Sequence, residues 1–135
     1  MAIPVSKLKG MNGSIEKSLK EQGIGNSEQF LEAAKGPGER KALAASTGAA
    51  ERDLLELANR ADLSRVKGVA GVFSDLLEKA GVDTVKELAA RRPDNLHAKI
   101  VEVNNSEKLA GRAPTASEVE DWVSQAKALP KTLTY

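Results

Sequence analysis

Two cation–glycine pairs are the residues of this chain best placed to do chemistry. Lys9-Gly10 and Lys67-Gly68 each set a lysine directly before a glycine, with a further cation just upstream, Lys7 and Arg65. Each pair is followed by a stretch with helical spacing. A glycine turn that leads into a helix N-terminus presents backbone N–H groups and the positive end of the helix dipole, an environment that favours an anion. Adjacent cations add charge, and two such turns could grip phosphates without reading bases. The candidate phosphate-binding residues are Lys7, Lys9, Gly10, Met11, Asn12 and Gly13 in the first turn. In the second they are Arg65, Lys67, Gly68, Val69, Ala70 and Gly71. The plainer alternative is that the glycines only permit a tight turn and the cations are solvated surface. Asn12 tolerates a left-handed backbone better than Ala70, which makes the first turn the stronger candidate.

The rest of the chain offers little reactive chemistry. His97 is the single histidine, with no second metal-type ligand at helical spacing, and reads as surface or capping structure. Trp122 lies on the apolar stripe of a helix and reads as core. Glu118, Glu120 and Asp121 form an acidic edge; paired carboxylates can do acid–base work, but on a polar helix face they are solvated. Arg91-Arg92 could touch a phosphate, or simply complement a helix C-terminus. Asp75 and Lys79 have charge-reversed counterparts in Lys17 and Glu21. No GxxxxGK[ST] loop is present, and no nucleophile–base set stands out. The expectation is a non-enzymatic protein without metal or cofactor and without a small-molecule substrate.

The elements that position the two turns are written twice. Val5 to Asn26 (VSKLKGMNGSIEKSLKEQGIGN) aligns without a gap on Leu63 to Thr84 (LSRVKGVAGVFSDLLEKAGVDT) at a shift of 58. Ser6, Lys9, Gly10, Gly13, Leu19 and Gly23 recur as Ser64, Lys67, Gly68, Gly71, Leu77 and Gly81. Each copy reads as a helix, a tight turn, a second helix and a glycine stop. A capped short helix follows each, from Asn26 or Ser27 and from Asp83 or Thr84, with Thr84 and Glu87 forming a capping box. Phe30 and Leu88 fall at the same repeat position and are expected in the core. After breaks at Gly36-Pro37-Gly38 and Arg92-Pro93, helices resume over Glu39–Ala45 and Leu96–Val103. Closing helices follow over Glu51–Arg60 and Ala116–Gln125, related by a shift of 65. Leu54, Leu57 and Ala61 match Val119, Trp122 and Ala126 as one helical stripe.

Composition agrees with a helical, soluble chain. Hydrophobic residues make up 41% and aromatics only 3%, so the core is aliphatic. The net charge is +1, and positions 1–58 carry eight basic and eight acidic residues, so neither half is a polyanion-binding tail. No cysteine is present, which excludes disulfides and thiol chemistry and suits a reducing cytoplasm. The N-terminus lacks a signal-like apolar run, and no stretch approaches the roughly 20 apolar residues of a membrane helix. The location expected is cytoplasmic.

The turns resemble the helix-hairpin-helix motif in Leu8-Lys9-Gly10-Met11-Asn12 and Val66-Lys67-Gly68-Val69-Ala70. The first motif glycine is present twice; the second is replaced by Asn12 and Ala70, with Gly13 and Gly71 one residue late. GVDTVKELAARRPDNL is similar to the helix-hairpin-helix region in the C-terminal domain of the RNA polymerase α chain. From Val5 to Leu129 the chain resembles a family of small, mostly bacterial proteins classed as a domain of unknown function with helix-hairpin-helix repeats. ANRADLSRVKGV, GVDTVKELA, RPDNLHAKIVEVN and EVEDWVSQAKAL carry that resemblance. The resemblance implies fold, and hairpins of this kind hold DNA phosphate through backbone N–H groups; some also hold a monovalent cation. The resulting expectation is an all-α single domain, residues 1–135, of about ten short helices. It comprises two tandem quasi-equivalent repeats (about 3–61 and 62–129), each containing a helix-hairpin-helix, and a frayed tail (130–135). The expected function is weak, sequence-independent DNA binding; the alternative is a protein–protein adaptor whose hairpins are purely structural.

Overall fold

Local sequence chemistry sets the helix boundaries in the computed structural model, which describes residues 2–69 and 71–135. Among the described residues there are eight α-helices and no strand. They are α1 (Gly13–Glu21), α2 (Ser27–Ala33), α3 (Pro37–Thr47), α4 (Glu51–Leu63), α5 (Val72–Lys79), α6 (Val85–Ala89), α7 (Pro93–Glu107) and α8 (Ala116–Ala128). Asn12, Asn26, Thr84 and Thr115 cap α1, α2, α6 and α8 by accepting a first-turn N–H. Pro37 and Pro93 open α3 and α7, where a missing N–H costs nothing.

The helices are fewer than the ten expected, because the stretch before each glycine turn is not a separate helix. Before α1 there is only a 3-10 turn, Val5–Lys7, bounded by Pro4 and an extended Leu8. Before the second glycine turn no breaker separates Arg60 from Leu63, and α4 runs on to Leu63.

The chain divides into two compact units, one reaching to Arg65 and including Thr132–Tyr135, the other Val66–Lys131. In the first unit, α2 and α3 pack on α4, and α1 packs on α3. Leu19, Phe30, Leu54 and Leu57 are fully buried there. The N-terminal segment pairs with the α1–α2 connection: Val5 N donates to Gly25 O at 3.1 Å and Ser27 N to Ile3 O at 2.7 Å. Ser27 is therefore not the helix cap; its Oγ accepts from Ile3 N. The C-terminal tail is not frayed. Leu133 is 4% exposed and belongs to this unit's hydrophobic cluster, and Thr134 N donates to Lys35 O at 2.7 Å. A buried leucine and a backbone bond outweigh the fraying expected of a short terminus.

In the second unit α8 packs on α6 and α7, and α5 on α7. Leu76, Leu77, Leu88, Leu96, Ile100, Val119, Trp122 and Val123 are buried. Phe30 and Leu88 are both fully buried, as their shared position predicts. The long connection between α7 and α8 is tied down by polar groups. Asn104 Oδ1 accepts from Ala110 N at 2.9 Å, and His97 Nε2 lies 3.0 Å from Pro114 O. His97 reads from sequence as surface or capping structure; it is half-buried instead and lies against the connection that leads into α8.

Several backbone bonds recur 58 positions apart. Met11 N to Leu8 O matches Val69 N to Val66 O, and Ile24 N to Leu19 O matches Val82 N to Leu77 O. Gly10 and Gly68 have φ of +96° and +94°. Gly23 and Gly81 end their helices at +80° and +93°.

Candidate nucleic-acid interface

The first turn is open. Lys7, Lys9, Gly10, Asn12 and Gly13 are exposed and Met11 is half-buried. Gly10 takes the left-handed backbone that lets the chain reverse in two residues. Asn12 does not share that conformation: its φ of −126° is extended, and it serves instead as the cap of α1, accepting from Ile15 N at 2.9 Å. Its short polar side chain is worth more at the cap than in the turn. One donor of the first helical turn is thereby satisfied, and the remaining N–H groups of that turn have no partner within the helix. Two lysines, a glycine turn and a helix start therefore share one exposed stretch.

The second turn is clasped. Gln125 on α8 holds both backbone polar groups of Lys67: Lys67 N donates to Gln125 Oε1 at 2.8 Å, and Gln125 Nε2 donates to Lys67 O at 3.2 Å. The same Nε2 donates to Asp121 Oδ2 at 2.7 Å, which brings a carboxylate beside the turn. Trp122, one residue further, covers Gly68 so closely that a Cβ there would meet its Nε1 at 3.1 Å. The next helix also starts later. Gly71, with φ +77°, is the cap of α5, whereas its counterpart Gly13 is the first residue of α1. An alanine stands where Asn12 caps the first copy, and it has no side-chain acceptor to offer; Ala70 itself lies outside the described residues. Lys67 and Gly68 are exposed and Val69 is buried. In the first unit, Arg65 is half-buried and paired with Asp62 at 2.9 Å, so its charge is locally balanced.

Sequence patterns do not single out several polar residues that organise the second unit. Arg112 forms a two-pronged pair with Glu118, at 2.7 and 3.2 Å, and its guanidinium lies 5.4 Å from the Phe73 ring centroid. Phe73 in turn packs on Trp122 at 5.5 Å between centroids. Glu118 also closes a capping box with Thr115, legible in sequence as Thr-x-x-Glu. The acidic edge is thus divided: Glu118 works at a helix start and Asp121 on Gln125. Arg112 and the Thr115 N–H hold the Glu118 carboxyl well below its usual range, at about 2. Its contribution is present above the ordinary value of 4.5 and is lost as pH falls from there to about 2. We expect Glu118→Gln to lower the melting temperature at pH 7 and to match the parent chain near pH 2. A melting series over that range checks this, and high salt should shrink the difference because the pair is exposed.

An open groove of about 420 Å³ lies at the N-terminal ends of α7 and α8, lined by Arg92, Pro93, Asp94, Ala116 and Glu120. The backbone N–H of Asn95 and the Arg92 guanidinium hold the Asp94 carboxyl below its usual range, so it is a poor proton donor near neutrality. Arg92 is paired with Asp94 at 3.2 Å, while Arg91 donates to Gly81 O at 3.2 Å. Among the described residues no three acidic or histidine side chains gather as a metal site, and no helix is long and apolar enough to cross a membrane.

Fold and site together define an all-α protein in which two glycine turns share one backbone conformation but differ in what surrounds them. The chain belongs to the family described as a domain of unknown function (DUF4332), whose model matches residues 9–129. No curated protein and no solved structure matches it.

Proposed function

We propose that the chain is a non-catalytic binding module that makes weak, sequence-independent contact with nucleic-acid phosphate through its first glycine turn. Under this reading the two related stretches are copies of one helix-hairpin-helix unit; the recurring backbone bonds and the matched φ of Gly10 and Gly68 support it. One copy keeps the binding turn and the other has turned it into a packing element. The observation that carries the proposal is the exposed set Lys7, Lys9 and Gly10 leading into the start of α1. The clasp on Lys67 by Gln125 and the pairing of Arg65 with Asp62 leave less for a phosphate in the second copy.

Binding should be non-specific, with Kd of about 10⁻⁴ to 10⁻⁶ M and a shallow salt slope that reflects only a few phosphates. Fluorescence anisotropy on a labelled duplex and a labelled single strand at low salt tests it. Lys7→Glu with Lys9→Glu should abolish binding at unchanged helical circular dichroism, whereas Lys67→Glu should change it little. The adaptor reading rests on Val72 and Leu109, each 37% exposed in the second unit. Absence of saturable binding to either probe, or binding indifferent to the double charge reversal, decides for the adaptor.

A further inference from the structure

The C-terminal segment sits in a recognisable receptor on the first unit. Leu133 enters the hydrophobic cluster, and Thr134 donates to Lys35 O from both its N (2.7 Å) and its Oγ1 (3.2 Å). Arg40 is 5% exposed, and its guanidinium is directed to backbone: Nη1 donates to Ala34 O at 2.9 Å and Nη2 to Thr134 O at 2.8 Å. This seat reads one aliphatic side chain and the backbone of the residue after it. Such contacts are the same whichever molecule brings the segment, as in modes that add a strand through main-chain bonds.

We propose that the seat is also filled in trans, by Leu133-Thr134 of a second copy, so that chains pair by exchanging their C-terminal segments. Three observations point that way. The segment Thr132–Tyr135 buries one side chain, Leu133, and so opens more readily than the helices behind it. It is joined to α8 through Leu129-Pro130-Lys131, where Leu129 is already extended (ψ 137°), as a residue before proline prefers; short, stiff connections favour exchange. An emptied seat leaves the buried Arg40 short of an acceptor, which disfavours the vacant state and drives refilling. A second copy restores every contact, so exchange loses none of them.

The chain has no cysteine, so reporters can be placed singly in the full-length protein. A tagged copy carrying Lys35→Cys is mixed with an untagged copy carrying Thr134→Cys, and a short bis-maleimide is added. The double variant Lys35→Cys/Thr134→Cys serves as the intramolecular control. Expected are closure within the double variant and a cross-linked heterodimer in the mixture. The heterodimer should rise with concentration and fall by about tenfold or more when Leu133→Asp is added to the Thr134→Cys copy, since a carboxylate cannot enter an apolar seat unpaired. A double variant that closes, together with a mixture giving no heterodimer above the Leu133→Asp level, overturns the exchange. A double variant that does not close overturns the seat itself. Where Leu133→Asp unfolds the copy carrying it, competition by excess unlabelled wild-type chain replaces it: loss of heterodimer supports exchange, and indifference overturns it.

Discussion

Gly68→Val is expected to cost roughly 3 kcal/mol and to lower the melting temperature by about 10 °C. Two penalties combine. At φ +94° a side chain with a Cβ is strained by about 1–2 kcal/mol, and a β-branched one by more. The space is also taken, because Trp122 Nε1 would stand 3.1 Å from the new Cβ. Gly10 supplies the internal control. Its φ is +96°, but a Cβ there meets only Leu57 Cδ2, at an ordinary 3.7 Å. Gly10→Ala should therefore cost the conformational strain alone, and Gly68→Ala distinctly more. Thermal unfolding followed by circular dichroism separates the two. Equal losses at both glycines would mean that Trp122 does not press on the second turn.

Trp122→Ala is expected to destabilise the protein by about 3–5 kcal/mol, the range for deleting a large buried aromatic. The indole is 2% exposed, packs against Phe73 and covers Gly68. Its loss opens a cavity under the second turn and deprives Phe73, over which Arg112 lies, of its partner. Trp122→Phe should recover part of the loss. In that background Gly68→Ala should cost about 1 kcal/mol less than in the parent chain, a coupling that a double-mutant cycle measures. Urea unfolding monitored by circular dichroism is the readout. A cost below about 1 kcal/mol for Trp122→Ala would remove α8 from its role in holding the turn.

The difference between the turns also bears on function. A glycine turn binds an anion only while its backbone donors are available. In the second turn Gln125 takes the Lys67 N–H, with Asp121 on its amide and Trp122 against Gly68. In the first copy the corresponding stripe brings Leu57 to Gly10, and Lys7 and Lys9 stay exposed. Two related stretches of sequence therefore place their glycine turns in different surroundings, and the proposed phosphate contact is assigned to the first.

Much of this was determined by local sequence. The helical class follows from apolar periodicity and the scarcity of β-branched runs. The breaks at Gly36-Pro37 and Arg92-Pro93 and the caps, narrowed to Asn26 or Ser27 and to Asp83 or Thr84, are set within a few residues, and apolar spacing marks Phe30, Leu88 and Trp122 as core candidates. The left-handed glycines at 10 and 68 were legible too, because a lysine–glycine step between helical stretches has few other conformations. What depended on residues far apart in the chain was decided only by tertiary structure. Gln125 reads as any polar residue on a helix face until Lys67, 58 positions away, is found between its amide atoms. Arg40 reads as a surface cation until burial and two backbone carbonyls, one of them 94 positions away, are seen to satisfy it. Leu133 reads as a terminal residue until the cluster that receives it is assembled. Capping and turn preferences act over three or four residues and are written in the chain. Burial, and the partner that a long polar side chain finds, exist only once distant segments have met.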